Sequence, residues 1–71
     1  MNSDIAISWL NKAEDDLGWT KSNIKEKVWY GACFTAHQSV EKSLKSFLLA
    51  NNEAVAKIHD LNALVERCKK N

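Results

Sequence analysis

Two cysteines and two histidines are the side chains of this 71-residue chain best suited to chemistry. Cys33 and His37 stand four apart, a helical spacing that can set two ligands on one metal ion. His59 and Cys68 offer two more donors. The order Cys-x3-His then His-x8-Cys fits no zinc module, so no metal site is expected. Cys33 with His37 also has the composition of a nucleophile and a base. No third group orients them, and no Gly-rich loop supplies an oxyanion site. A core cysteine beside a hydrogen-bonded histidine is the simpler reading, and no catalytic residue is assigned.

His59-Asp60 reads first as a helix start, with Asp60 as the cap. Glu41 and Lys45 form an i,i+4 pair in the favourable orientation. Lys42 and Lys45 lie three apart on what reads as the outer face of a helix. They can reach phosphate, although a solvated charged face is the plainer reading. No Gly-rich phosphate loop is present. Aromatic and basic residues do not alternate, so a platform for single-stranded nucleic acid is not supported.

Three helices must position these residues. The first is expected from Asp4 to about Ile24, with Ser3 as its cap. Its apolar face is Ala6, Leu10, Ala13, Leu17 and Ile24. Gly18 costs about 1 kcal/mol relative to alanine in a helix, and close approach by another helix would justify it. The polar stretch Ser22–Lys27 reads as a short connection. A second helix opens at Val28 or Trp29 and runs to about Ala50. Its main stripe is Cys33, Ala36/His37, Val40, Leu44 and Phe47/Leu48. A second row, Tyr30, Phe34, Gln38 and Glu41, begins aromatic and ends polar, as expected of a central helix with two neighbours. Asn51-Asn52 marks its stop. The third helix begins at Asp60 and places Leu61, Leu64, Val65 and Cys68 on one face.

Composition supports this reading. The chain has no proline, two glycines and an apolar share of 45%, too few turn residues for a β-rich domain and too apolar for disorder. The expected fold is an all-α, antiparallel up-and-down bundle over residues 1–71. The third helix is about half as long as the other two, so apolar surface on helices one and two stays open unless another chain covers it. The formal charge is +1, which gives no strong field toward nucleic acid or an anionic membrane. Arg67 is the only arginine, so bidentate phosphate recognition has little support. No signal peptide or membrane span is legible. A cytoplasmic protein with reduced thiols is expected.

Three blocks carry a family resemblance. They are Trp9-Leu10-x-x-Ala13-Glu14-x-Asp16-Leu17, Ala32-Cys33-Phe34-x-Ala36-x-Gln38-x-Val40-Glu41-Lys42-x-Leu44-Lys45, and His59-Asp60-Leu61-x-x-Leu64. Together they resemble the HEPN domain (higher eukaryotes and prokaryotes nucleotide-binding), and the middle block is the specific one. The chain departs from the family at Thr35-Ala36-His37, where His-Ala-Gln is usual, and at Gly31.

The resemblance implies a bundle of four or five helices that usually dimerises. This chain is expected to be its N-terminal three-helix portion, truncated or minimal, and completed by a homodimer. It further implies a nucleotide-binding or partner-binding component that works with a small nucleotidyltransferase, in the manner of toxin–antitoxin modules. Lys42, Lys45 and His59 are the candidate phosphate contacts, with no cofactor. Many members are metal-independent ribonucleases that use an Arg-x4-6-His motif in a later helix. Only Cys68, Lys69, Lys70 and Asn71 follow Arg67, so that motif is absent from these residues and no ribonuclease role is carried over. The alternatives are part of a ribonuclease toxin whose motif is missing here, and a helical dimerisation module without a ligand.

Overall fold

The computed structural model describes residues 2–54 and 58–70. Among them are three helices, α1 (Asn2–Lys25), α2 (Trp29–Ala50) and α3 (Leu61–Lys69), and no strand. Residues 55–57, between the expected stop at Asn51-Asn52 and the third helix, lie outside the described residues. The first helix starts before Ser3, which is therefore inside it rather than at its cap. It also continues through Ser22 to Lys25, because Asn23 and Ile24 close its end in a tight turn rather than an extended link.

That turn is a Schellman motif. Val28 N–H donates to the Asn23 carbonyl at 2.8 Å and Lys27 N–H to the Ile24 carbonyl at 3.0 Å. Lys27 takes φ 60° to make it, a conformation that glycine adopts more cheaply. The end of α2 repeats the design. Glu53 N–H reaches the Leu48 carbonyl, Asn52 N–H reaches Leu49, and Asn52 has φ 65°. Asparagine tolerates that geometry, which is why Asn51-Asn52 was a legible stop.

The seam between α1 and α2 is built from small residues. Ala6, Ala13 and Thr20 are buried on α1, and Ala32 and Ser46 on α2. Ser46 Oγ donates to the Ala6 carbonyl at 2.7 Å and Ser39 Oγ to the Ala13 carbonyl at 2.8 Å. Thr20 and Thr35 share a hydrogen bond of 2.7 Å at the turn end. These pairings set α1 and α2 antiparallel. They also correct part of the expected core. Ala6 and Ala13 of the expected face are buried, but Leu10, Leu17 and Ile24 each remain about half exposed beside them. Small side chains let the two backbones approach closely enough for hydroxyl–carbonyl bonds, and the bulkier row is displaced to the flank.

The third helix contacts α2 alone. Asp60 caps it, accepting from Asn62 N–H at 2.9 Å and Ala63 N–H at 3.4 Å. Leu64 packs on Leu48, with Leu44, Leu49, Ile58, Leu61 and Cys68 around them. Arg67 and Glu53 form an ion pair beside this cluster. The nine residues of α3 reach about 13 Å at 1.5 Å per residue, far less than the length of α2. Tyr30 and Phe34, on the N-terminal half of α2, are therefore uncovered; Tyr30 is 86% exposed. Cys33 is exposed too, which overturns its expected place in the core stripe. Gly18 has nothing within 4 Å of where a Cβ would stand, so no helix among the described residues approaches it. No helix of the described residues is long and apolar enough to cross a membrane.

Candidate functional site

The feature of the structure that composition least suggests is a buried ion pair. Lys45 Nζ donates to Glu41 Oε2 at 2.9 Å, and the lysine side chain is only 1% exposed. One turn of α2 places the pair, and two other elements close it. From α1, the Trp9 ring lies against Lys45, with its centroid 5.4 Å from Nζ. Lys12 Nζ is also 5.4 Å from that centroid. Both are within the range of a cation–π attraction. From the segment before α3, His59 brings Nδ1 to 3.2 Å from Glu41 Oε2 and 3.4 Å from Lys45 Nζ. His37, one turn earlier on α2, sets Nε2 3.8 Å from the other Glu41 oxygen.

Burial pushes the Glu41 carboxyl up. Hydrogen bonds from Lys45 and His59, and the charges of both, outweigh it and hold the carboxyl below its usual value. Glu41 is thus an ionised hub on which α2 and the start of α3 converge. It is also fully partnered: no buried side-chain nitrogen or oxygen among the described residues lacks a hydrogen bond. The solvent-facing parts of the cluster are the two imidazoles, half exposed at His37 and mostly exposed at His59.

The structure divides the three candidate phosphate contacts. Lys45 and His59 meet. Lys42 does not join them, because its ammonium is held by Asp16 of α1 at 2.6 Å. The expected outer-face position of Lys45 is corrected. Lys42 turns toward α1 and Lys45 toward Trp9 and α3, so three residues of helix rotation separate their environments. Sequence reasoning identified the Glu41–Lys45 pair by its spacing but treated it as a surface pair. No signal within α2 alone reveals its burial, which depends on Trp9 and His59 arriving from elsewhere.

Beside the cluster, Tyr30, Cys33, Phe34, His37 and Gln38 line an open groove on α2. Cys33 and His37 are one turn apart in this groove. Among the described residues, no three of His, Cys, Asp or Glu are placed to hold a metal ion. Cys68 lies apart, on the α2-facing side of α3. Burial pushes its thiol up, and it donates to the Leu44 carbonyl at 3.8 Å.

Searches of curated proteins and of solved structures return no match to this chain. The comparison with known families does: the HEPN domain matches residues 6–71. That span includes every element of the site, from Trp9 on α1 to His59 and Asp60 at α3, and the chain belongs to the HEPN domain family.

Proposed function

We propose that this HEPN chain is a binding component that self-associates and offers a nucleotide- or partner-binding face to a small nucleotidyltransferase. The observation that carries this reading is the amount of large apolar surface left open. Tyr30, Phe34 and Trp29 on α2, and Leu10, Leu17 and Ile24 on α1, are all substantially exposed. Isolated exposed apolar residues are ordinary, but contiguous patches mark interaction sites.

The groove beside the ion cluster supports the nucleotide part. Tyr30 and Phe34 offer flat apolar faces to a base, and the His37 and His59 imidazoles offer donors to phosphate. Lys45 acts in this reading through Glu41, as a positioning residue that holds His59 in place, because its own ammonium is sealed from solvent. Lys42 contributes at most a neighbouring positive charge.

Isothermal calorimetry with ATP and GTP at millimolar nucleotide tests the nucleotide part, with His59→Ala as control. Heat that disappears in the variant is expected. No heat and no thermal shift with either nucleotide overturns it. Co-purification of the chain with a small nucleotidyltransferase tests the partner, and failure to co-purify any such protein overturns that part of the reading. Sedimentation tests self-association, which a compact monomer at micromolar concentration contradicts.

A further inference from the structure

We infer that Cys33 is a modification site, a thiol set to add to a flat α,β-unsaturated carbonyl compound, with His37 as its base and Glu41 positioning that base. The inference depends neither on nucleotide binding nor on self-association.

A row of side chains carries it. Cys33, His37, Glu41 and Lys45 stand four apart along α2, so each lies one turn from the next. Helical side chains lean toward the N-terminus, which sets His37 over the turn of Cys33 and Glu41 over the turn of His37. The Glu41 carboxylate is divided between its neighbours. Oε2 is taken by Lys45 at 2.9 Å and His59 at 3.2 Å. Oε1 stands 3.8 Å from His37 Nε2. Spacing along the sequence names no third group for Cys33 and His37; the fold supplies one by burying Glu41 beside them. A proton on Nε2, facing that oxygen, leaves Nδ1 as the acceptor. The carboxylate then stabilises the imidazolium that forms when His37 takes a second proton. The other charges around it are Lys45 on α2, His59 before α3, and Lys12 of α1 beyond the Trp9 ring.

The setting selects the reaction. Cys33 is exposed and shares an open groove with Tyr30, Phe34, His37 and Gln38. The two rings offer apolar faces to a flat conjugated molecule, and the Gln38 amide can donate to its carbonyl oxygen. Cys33 lies inside α2, where backbone N–H groups are committed to the helix, so turnover of esters or amides through an oxyanion site is not implied. A thiolate adds to an activated double bond without one. Cys33 gives its proton to His37, and its sulfur forms a bond to the β-carbon as the C=C pair shifts toward the carbonyl oxygen. His37 then returns the proton to the α-carbon. The product is a thioether, nothing leaves, and no oxidant is consumed.

The test treats the full chain with N-phenylacrylamide at pH 7 and follows the adduct on each cysteine by peptide mass spectrometry. Cys68 is the internal control, since burial pushes its thiol up and it donates to the Leu44 carbonyl at 3.8 Å. A free cysteine is only a few per cent thiolate at pH 7, so a placed base has room for roughly a tenfold gain. Cys33 is expected to react at least tenfold faster than N-acetylcysteine, and Cys68 more slowly than it. His37→Gln brings Cys33 within threefold of N-acetylcysteine and moves its rate–pH profile to that of the free thiol; added imidazole restores part of the rate. A wild-type Cys33 no faster than N-acetylcysteine, or a rate that His37→Gln leaves unchanged, overturns the site. Glu41→Gln lowers the Cys33 rate at least threefold with Cys68 still slow; an unchanged Cys33 rate overturns the role of Glu41. Unfolding would instead speed Cys68. In that case 15N NMR of His37 in the wild-type chain decides: a proton on Nε2 supports the positioning role, and one on Nδ1 overturns it.

Discussion

Replacing Lys45 by methionine isolates the energetics of the buried pair. At 2.9 Å and an effective dielectric of ~20, two unit charges attract by about 6 kcal/mol. Each ion also gives up several kcal/mol of hydration to be buried, so the intact pair adds little net stability. Removing one member is different. Lys45→Met keeps the volume against Trp9 but leaves the Glu41 carboxylate sealed with only imidazole partners, a situation that costs about 3–5 kcal/mol. A chain of 71 residues is stable by about 4–10 kcal/mol, so the variant loses from about a third of it to all of it. Urea unfolding followed by far-UV circular dichroism measures this, at one fixed protein concentration because association shifts the midpoint. The double variant Glu41→Leu/Lys45→Met is expected to recover to within about 2 kcal/mol of the parent, since no charge is stranded. A Lys45→Met protein within about 1 kcal/mol of the parent, or a double variant no better than the single one, refutes the reasoning.

Three other outcomes follow from the same structure. Glu41 titrates below its usual value when folded, so its contribution is complete above the unfolded pKa and is lost as pH falls through the folded one; Glu41→Gln flattens the acid side of the stability–pH curve below about 4.5. Gly18→Ala meets no neighbour and raises stability by about 0.5–1 kcal/mol, read as a melting shift of roughly 2–8 °C; a fall would reveal a contact at this position. Lys27→Gly removes the left-handed strain at φ 60° and gains about 1 kcal/mol by urea titration, whereas Lys27→Val loses stability.

Part of this architecture is legible from local chemistry. The all-helical fold follows from the absence of proline and from apolar residues recurring at three and four. Asp60 is readable as a cap because a short acceptor before an apolar run satisfies free N–H groups. Asn51-Asn52 is readable as a stop because asparagine tolerates left-handed φ. The start of the first helix was less readable, since Ser3 is as acceptable inside a helix as before one. The core is legible in part. Ala6 and Ala13 of the expected face are buried, but apolar periodicity sets Leu10, Leu17 and Ile24 beside them as equals, whereas Ser39, Ser46 and Thr35 across the seam make the small row Ala6, Ala13 and Thr20 the closer fit. A pattern within one helix cannot report which row its partner prefers.

The same distinction runs through the candidate site. The sequence alone determined three helices, their order, the Asp60 cap and the Asn51-Asn52 stop, the i,i+4 contact of Glu41 with Lys45, and the membership in the HEPN family that its three blocks suggested. Those depend on spacing along the chain. Only the tertiary structure decided that Lys45 is buried, that Lys42 belongs to Asp16, that His59 closes on Glu41 from 18 residues away, and that Cys33, Tyr30 and Phe34 face solvent. Each of these depends on how far one helix turns and how short another is. Burial is a property of what arrives opposite a side chain, and the chain's local pattern holds no record of it.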